Sequence, residues 1–216
     1  DRSVSRGLGD VYKRQIYIFT EGDTEEIYLQ HYDNKKKGIE VIPVDPKHTD
    51  AVGIVKYAKK YIDDNEVDVE LGDKCYCVFD SDPESNPNIN EAFDLVNGYK
   101  HKGLECIFSN PSFEIWFILH YRKAPYGKSA EDVKKIVKDL VKEEEPEYKE
   151  TTDIFDILLD KQDKAFKEAV MLHKTQAEVH KSVFSHECNP YTNMFEFITS
   201  VSYTHLRAHE TLSDLV

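Results

Sequence analysis

The chain has few basic residues relative to its acidic ones. It contains 28 Lys and Arg against 41 Asp and Glu, which gives a net charge of -13 at pH 7. Such an acidic protein is not expected to bind nucleic acid broadly and non-specifically, although a local basic groove or a metal-bridged phosphate contact is compatible with this charge. Long apolar runs are also missing. The longest, residues 115–119, is far below the roughly 18 residues that span a membrane, so we expect no membrane partner.

Paired cysteine motifs are missing as well. The four cysteines form no C-x-x-C pair, and three of them lie in apolar segments that are typical of strands: Cys75, Cys77 and Cys106. Buried, reduced thiols are therefore expected, and with them a cytoplasmic location.

Apolar runs and helical stripes alternate along the first part of the chain. The pattern predicts strands at 16–20, 40–44, 74–79 and 104–108, with helices at 24–33, 50–63 and 89–101 between them. This alternation predicts an α/β fold in which a four-stranded parallel sheet is flanked by helices. Asn110 is predicted to cap a buried helix that begins at Pro111 and ends near residue 121. Helical patterns at 130–142 and 153–181 predict a helical C-terminal region.

Two of the predicted strands end in carboxylates. Glu21 and Gly22 follow the first strand, and Asp80 and Asp82 follow the third. In an open α/β sheet, ligands bind at the carboxyl ends of the strands. Asp80 and Asp82 are two residues apart and so point to the same side of a continuing strand. Three convergent carboxylates suit Mg²⁺, although Asp-x-Asp-Pro is also a common turn.

Two further carboxylates have both a structural and a functional interpretation. Glu25 either interacts with the positive N-terminal end of the first helix or is part of the site. Glu114 either accepts hydrogen bonds from backbone donors in the first turn of its helix or supports the site from the same sheet edge. Four lysines on one predicted helix indicate a solvated face, and they are also the best candidates for contacting phosphate: Lys134, Lys135, Lys138 and Lys142.

The motifs together resemble a known family. They are Glu21 to Glu25, the Asp80-Ser81-Asp82 cluster, and the segment 109–116 (Ser-Asn-Pro-Ser-Phe-Glu-Ile-Trp). In this order they resemble RloB-like proteins, a branch of the Toprim superfamily found in bacterial restriction-modification and abortive-infection loci. The resemblance extends from residue 16 to about residue 201. It includes Asn-Pro-Tyr-Thr at 189–192, where Tyr191 replaces the family's usual small residue.

The resemblance implies roles for the acidic residues. Glu21 corresponds to the general acid or base of Toprim enzymes, and Asp80 and Asp82 correspond to the pair that holds Mg²⁺, for which Mn²⁺ can substitute. Gly22, Glu25, Asn110 and Glu114 are the predicted supporting residues. The implied activity is Mg²⁺-dependent cleavage of DNA or RNA in phage defence. Two other hypotheses stay open: a non-catalytic or regulatory subunit of a defence complex that binds a protein partner, and a nucleotidyl transferase.

The same comparison sets the expected domain boundaries. Residues 16–122 are predicted to form the Toprim-like α/β domain, and 123–201 the helical C-terminal region. Residues 1–15 and 202–216 resemble translated sequencing-adapter read-through, and we therefore expect them to be non-native tails that add little stability.

Overall fold

The computed structural model describes residues 14–34, 38–43, 50–82 and 86–201. The predictions for residues 1–13 and 202–216, and for the last residue of the strand at 40–44, lie outside these residues. Two residues of the expected N-terminal tail are described. Arg14 donates a hydrogen bond to the backbone carbonyl of Ser200. The N–H of Gln15 donates to Asp73 Oδ1 at 2.7 Å, so both residues contact the fold.

The secondary structure alternates between strands and helices as far as residue 121. The strands are β1 (Ile16–Thr20), β2 (Ile39–Pro43), β3 (Lys74–Asp80), β4 (Leu104–Asn110) and β5 (Tyr191–Thr192). The helices are α1 (Asp23–Gln30), α2 (Ala51–Asp64), α3 (Ile89–Tyr99), α4 (Glu114–Tyr121), α5 (Ala130–Val141), α6 (Phe155–Leu159) and α7 (Gln162–Val179). No helix among these described elements is both long enough and apolar enough to cross a membrane.

The described strands form one sheet in the order β2-β1-β3-β4-β5. The first four are mutually parallel, which confirms the predicted α/β class and the parallel pairing. The predicted number of strands is wrong, because β5 adds an antiparallel fifth strand beside β4. A strand of two residues has no alternation to detect, so periodicity does not predict it.

Asn193 extends the pairing of this short edge strand. Its Oδ1 accepts a hydrogen bond from Phe108 N at 2.7 Å, and its Nδ2 donates to Cys106 O at 2.9 Å. The side-chain amide thus satisfies backbone groups of β4 that a longer β5 would have paired with. The C-terminal region is therefore joined to the sheet rather than separate from it.

The sheet lies between two apolar layers. On one face, β1 residues such as Ile18 pack with helices α1, α4, α5 and α7 in a cluster that contains the buried Trp116. On the other face, Phe19 packs with α2 and α3. Residues 18 and 19 belong to different clusters because successive strand side chains point to opposite faces. Both faces are covered, as is typical of a parallel sheet.

Three predicted helix boundaries are wrong. Helix α1 begins at Asp23, so its N-cap is Gly22, which makes no side-chain capping bond. Helix α4 begins at Glu114, because Asn110 continues β4 and pairs with Tyr191. The helix predicted at 153–181 is two helices, α6 and α7. In each case the local pattern was correctly helical, and for α4 the pairing of Asn110 within the sheet moved the start of the helix.

The strand order places a crevice between β1 and β3. The connection that leaves β1 passes through α1 on one face of the sheet, and the connection that leaves β3 passes through α3 on the other face. The two connections diverge from neighbouring strands, and this is the point at which open α/β sheets bind ligands.

Candidate functional site

A cavity of about 270 Å³ opens at the carboxyl ends of β1, β3 and β4. Its lining carries seven carboxyl groups and one cation: Glu21, Asp23, Glu25, Asp80, Asp82, Glu114 and Glu150, with Lys134. Five of the residues predicted from sequence are therefore together at one edge of the sheet, namely Glu21, Glu25, Asp80, Asp82 and Glu114. Gly22 also lines the cavity.

Glu21 is fixed in place by the neighbouring strand. The backbone N–H of Asp80 donates to Glu21 Oε2 at 3.3 Å, and Asn86 Nδ2 lies 3.1 Å from both carboxylate oxygens. Burial raises the pKa of Glu21 from 4.5 to about 7, although these hydrogen bonds oppose the shift. The charge of Asp82 is among the smaller causes of the increase. Glu21 is thus a carboxyl group that titrates near neutral pH.

Asn86 is a site residue that the sequence analysis missed. Its Nδ2 also donates to Asp80 O at 2.9 Å, and its Oδ1 accepts from Ala51 N, at the start of α2, at 2.6 Å. The side chain is 2% exposed. Asn86 therefore joins Glu21, the end of β3 and the N-terminus of α2. A lone asparagine in a polar stretch of sequence gave no signal of this role.

At position 22, glycine is favoured by a close contact with a neighbouring side chain and not by its backbone conformation. Its φ of -129° is open to any residue. A Cβ at this position, however, would lie 2.9 Å from Glu25 Oε2. Glu25 is 5% exposed, and its burial together with the charges of Glu114 and Glu21 raises the pKa of its carboxyl group. Gly22 thus leaves room for a buried carboxylate beside Glu21. The buried position of Glu25 favours the site interpretation over that of a surface helix-dipole residue.

Asp80 and Glu114 each present an oxygen atom without a hydrogen-bond partner. Asp80 Oδ1 and Glu114 Oε2 are buried and accept no hydrogen bond from the residues that the structure describes. Burial, followed by the charges of Glu25, Glu114 and Glu21, raises the pKa of Asp80 well above its usual value. Burial also raises the pKa of Glu114. Buried carboxylates that repel one another in this way are costly unless a proton or a cation compensates them.

Asn110 lies near the sheet edge but outside the cavity lining. Its Nδ2 donates to the backbone oxygens of Ser185 and His186, each at 3.0 Å. The His186 ring in turn hydrogen-bonds Ser81 Oγ at 2.8 Å. Asn110 thus supports the segment that packs against the Asp80-Ser81-Asp82 turn, and it does not cap a helix.

The lysines predicted as phosphate contacts separate into different environments. Lys134 lines the cavity, where its Nζ pairs with Glu150 Oε2 at 2.8 Å. Lys135 pairs instead with the exposed Glu131 on its own helix at 2.7 Å. His120 lies in the core, where it is 1% exposed and burial lowers its pKa to about 4.

The donor set of the cavity fits a hard divalent cation such as Mg²⁺, because it consists of carboxylate oxygens, two of them unpaired. The geometry is nevertheless not that of an assembled centre. Among the described residues, no group of three or more His, Cys, Asp or Glu side chains is arranged to hold a metal ion. Ion binding would therefore require some of these carboxylates to move.

Comparison with known families agrees with the motifs. Residues 16–201 match the family described as RloB-like protein. The match covers most of the 216 residues, and the chain belongs to the RloB-like protein family. Comparisons with curated proteins and with solved structures gave no significant match.

Proposed function

We propose that the protein is a divalent-metal-dependent phosphodiesterase that cleaves DNA or RNA. Glu21, Asp80 and Asp82 would hold Mg²⁺ or Mn²⁺ in a Toprim-type arrangement. The observation that carries the proposal is the buried group of carboxylates at the crevice between β1 and β3, in which Asp80 Oδ1 has no partner in the described part of the chain. A cation bound there would relieve the repulsion that raises the pKa of Asp80.

The reaction is hydrolysis of a phosphodiester. A water oxygen attacks phosphorus, one P–O ester bond breaks, the water gives up a proton, and the leaving oxygen takes one up. A bound divalent ion supplies neutralising charge for the phosphate and makes the attacking water more acidic. Glu21 suits proton transfer, because it lies beside Asp80 at the crevice and its carboxyl group, with a pKa raised to about 7 in the metal-free protein, binds a proton readily. Asn86 would orient the carboxyl group of Glu21 during this transfer.

Labelled single- and double-stranded DNA and RNA, incubated with Mg²⁺, Mn²⁺ or EDTA, test the proposal. We expect wild-type protein to cleave at least one substrate only with metal, and Asp80→Asn to be inactive while still folded. Glu131→Gln is the matched control, since it removes an exposed carboxylate outside the cavity. Equal cleavage by wild type and Asp80→Asn would contradict the assignment.

A second candidate function is a regulatory subunit of a bacterial defence complex, in which the site senses Mg²⁺ or a nucleotide. The observation that favours it is the strongly acidic chain, with a single lysine among the described residues that line the cavity. Binding of Mg²⁺ without cleavage of any substrate would support this candidate. Incorporation of a labelled nucleotide would instead indicate a nucleotidyl transferase. The family resemblance supports a role in phage defence for each candidate.

A further inference from the structure

Lys134 is the one cation among the described residues that line the acidic cavity. It lies on α5 and pairs with Glu150 at 2.8 Å. Partial burial opposes its charge, yet the carboxylates of Glu150, Glu114 and Asp80 raise the pKa of Lys134 above its usual value. Lys134 is therefore held charged beside the groups proposed to carry the chemistry.

The segment that carries Glu150 is anchored on both sides of the cavity. Thr24 Oγ1, in α1, donates to the backbone oxygen of Glu150 at 3.3 Å. Tyr148 is 5% exposed and packs in the core cluster that contains α4 and α5. Glu150 and Thr151 thus form a wall of the cavity beside Lys134.

Three buried polar atoms around this wall have no hydrogen-bond partner among the described residues. They are Glu114 Oε2, Asp80 Oδ1 and the Tyr148 hydroxyl oxygen. Glu114 is 2% exposed and lines the cavity. Because buried polar groups are almost always hydrogen-bonded, the two carboxylate oxygens, which line the cavity, indicate that it is built to receive a cation or a hydrogen-bond donor beside Lys134.

We propose that Lys134 contacts the phosphate group of the substrate, and that the Glu150 carboxylate occupies this position on the Lys134 ammonium until the substrate displaces it. The inference rests on the proposed phosphodiesterase function and identifies a residue that binds the substrate. Carboxylate and phosphate oxygens are both anionic acceptors of the same N–H donors. The side chain of Glu150 is 55% exposed, and such exposed ion pairs add little stability, so a phosphodiester can replace the carboxylate.

The variants Lys134→Met and Glu150→Gln test the exchange in the full chain. The matched controls are Lys56→Met and Glu91→Gln, which break an ion pair of 3.1 Å between two exposed side chains outside the lining of the acidic cavity. Affinity for a labelled oligonucleotide is measured in Ca²⁺ over a range of salt concentrations, together with kcat, KM and Tm. In this binding assay Ca²⁺ takes the place of Mg²⁺, because both are hard divalent ions that bind oxygen ligands.

Lys134→Met is expected to weaken oligonucleotide binding by about tenfold and to lower the slope of log affinity against log salt by about one, as the loss of one phosphate contact predicts. Glu150→Gln is expected to strengthen binding severalfold and lower KM, since Lys134 is then unmasked. Both controls should stay within about twofold of wild type. A merely structural ion pair predicts a different result, in which both cavity variants lower Tm and weaken binding alike, and that result would overturn the proposal.

The outcomes for Lys134 and for hydrolysis are separable. Metal-dependent cleavage by wild type that Lys134→Met leaves unchanged would overturn the Lys134 assignment and leave the phosphodiesterase intact. Oligonucleotide binding that depends on Lys134, without any cleavage, would support the phosphate contact and remove the hydrolytic function. If wild type binds no oligonucleotide at any salt concentration, both proposals fail.

Discussion

Replacement of Glu21 by glutamine should stabilise the metal-free protein at alkaline pH but not at acidic pH. The folded protein raises the pKa of Glu21 from 4.5 to about 7, chiefly by burial. A carboxyl group with a raised pKa favours the folded state less and less as pH rises between these two values, because the unfolded chain ionises more easily. Glutamine has no charge to bury and so avoids this loss.

The expected gain follows from the shift and from the hydrogen bonds. A shift of this size costs about 3 kcal/mol of folding free energy once the pH is above the folded pKa, at about 1.4 kcal/mol per unit. Both oxygens of Glu21 accept hydrogen bonds, from Asn86 Nδ2 and from Asp80 N. Glutamine keeps one acceptor oxygen, and the lost bonding costs about 1 kcal/mol. The net gain is about 2 kcal/mol at about pH 9 and near zero at about pH 5.

Thermal or denaturant unfolding in EDTA measures this difference. For a chain of this length, the gain at about pH 9 corresponds to an increase in Tm of about 4–8 °C. Glu131→Gln serves as the control, because its side chain is 78% exposed and we expect no pH-dependent gain from it. A Glu21→Gln variant with the same stability difference at both pH values would refute the reasoning that burial of the Glu21 charge is costly.

Three further predictions concern the same cavity. Mg²⁺ at a concentration about a hundredfold above its Kd should stabilise the folded wild type by about 2.7 kcal/mol, which is measured as a higher Tm. The Tm of Asp80→Asn should not respond to Mg²⁺ in this way. Gly22→Ala should reduce metal-dependent activity by displacing the Glu25 carboxylate, which lies 2.9 Å from the added Cβ, whereas Gly98→Ala, with nothing within 4 Å, should keep full activity. Asn86→Ala should lower stability by about 2–4 kcal/mol in denaturant unfolding, since it leaves Asp80 O and the N-terminus of α2 without their partner. Unchanged activity in the first glycine variant, or unchanged stability in the asparagine variant, would contradict the role given to each contact.

The local sequence was sufficient to predict the α/β class and the edge at which the acidic residues meet. Periodicity located β1, β3 and β4 to within two residues, because each is largely apolar and lies in a sheet covered on both faces. Placing Glu21 and Asp80 together required only that the strands be parallel, since the carboxyl ends of parallel strands share an edge. The motif order likewise predicted the RloB-like family.

The tertiary structure alone brought Asn86 to Glu21 and Glu150 to the cavity. Asn86 contacts Glu21 across 65 positions of sequence, and Lys134 meets Glu150 across 16, through a turn that no periodicity describes. Asn110 was predicted as a helix cap because Asn-Pro is a good local start signal, but pairing with Tyr191 kept it in β4. Contacts between distant segments depend on how helices and loops pack. The polar residues that make these contacts follow no periodic pattern, so a single sequence does not identify them.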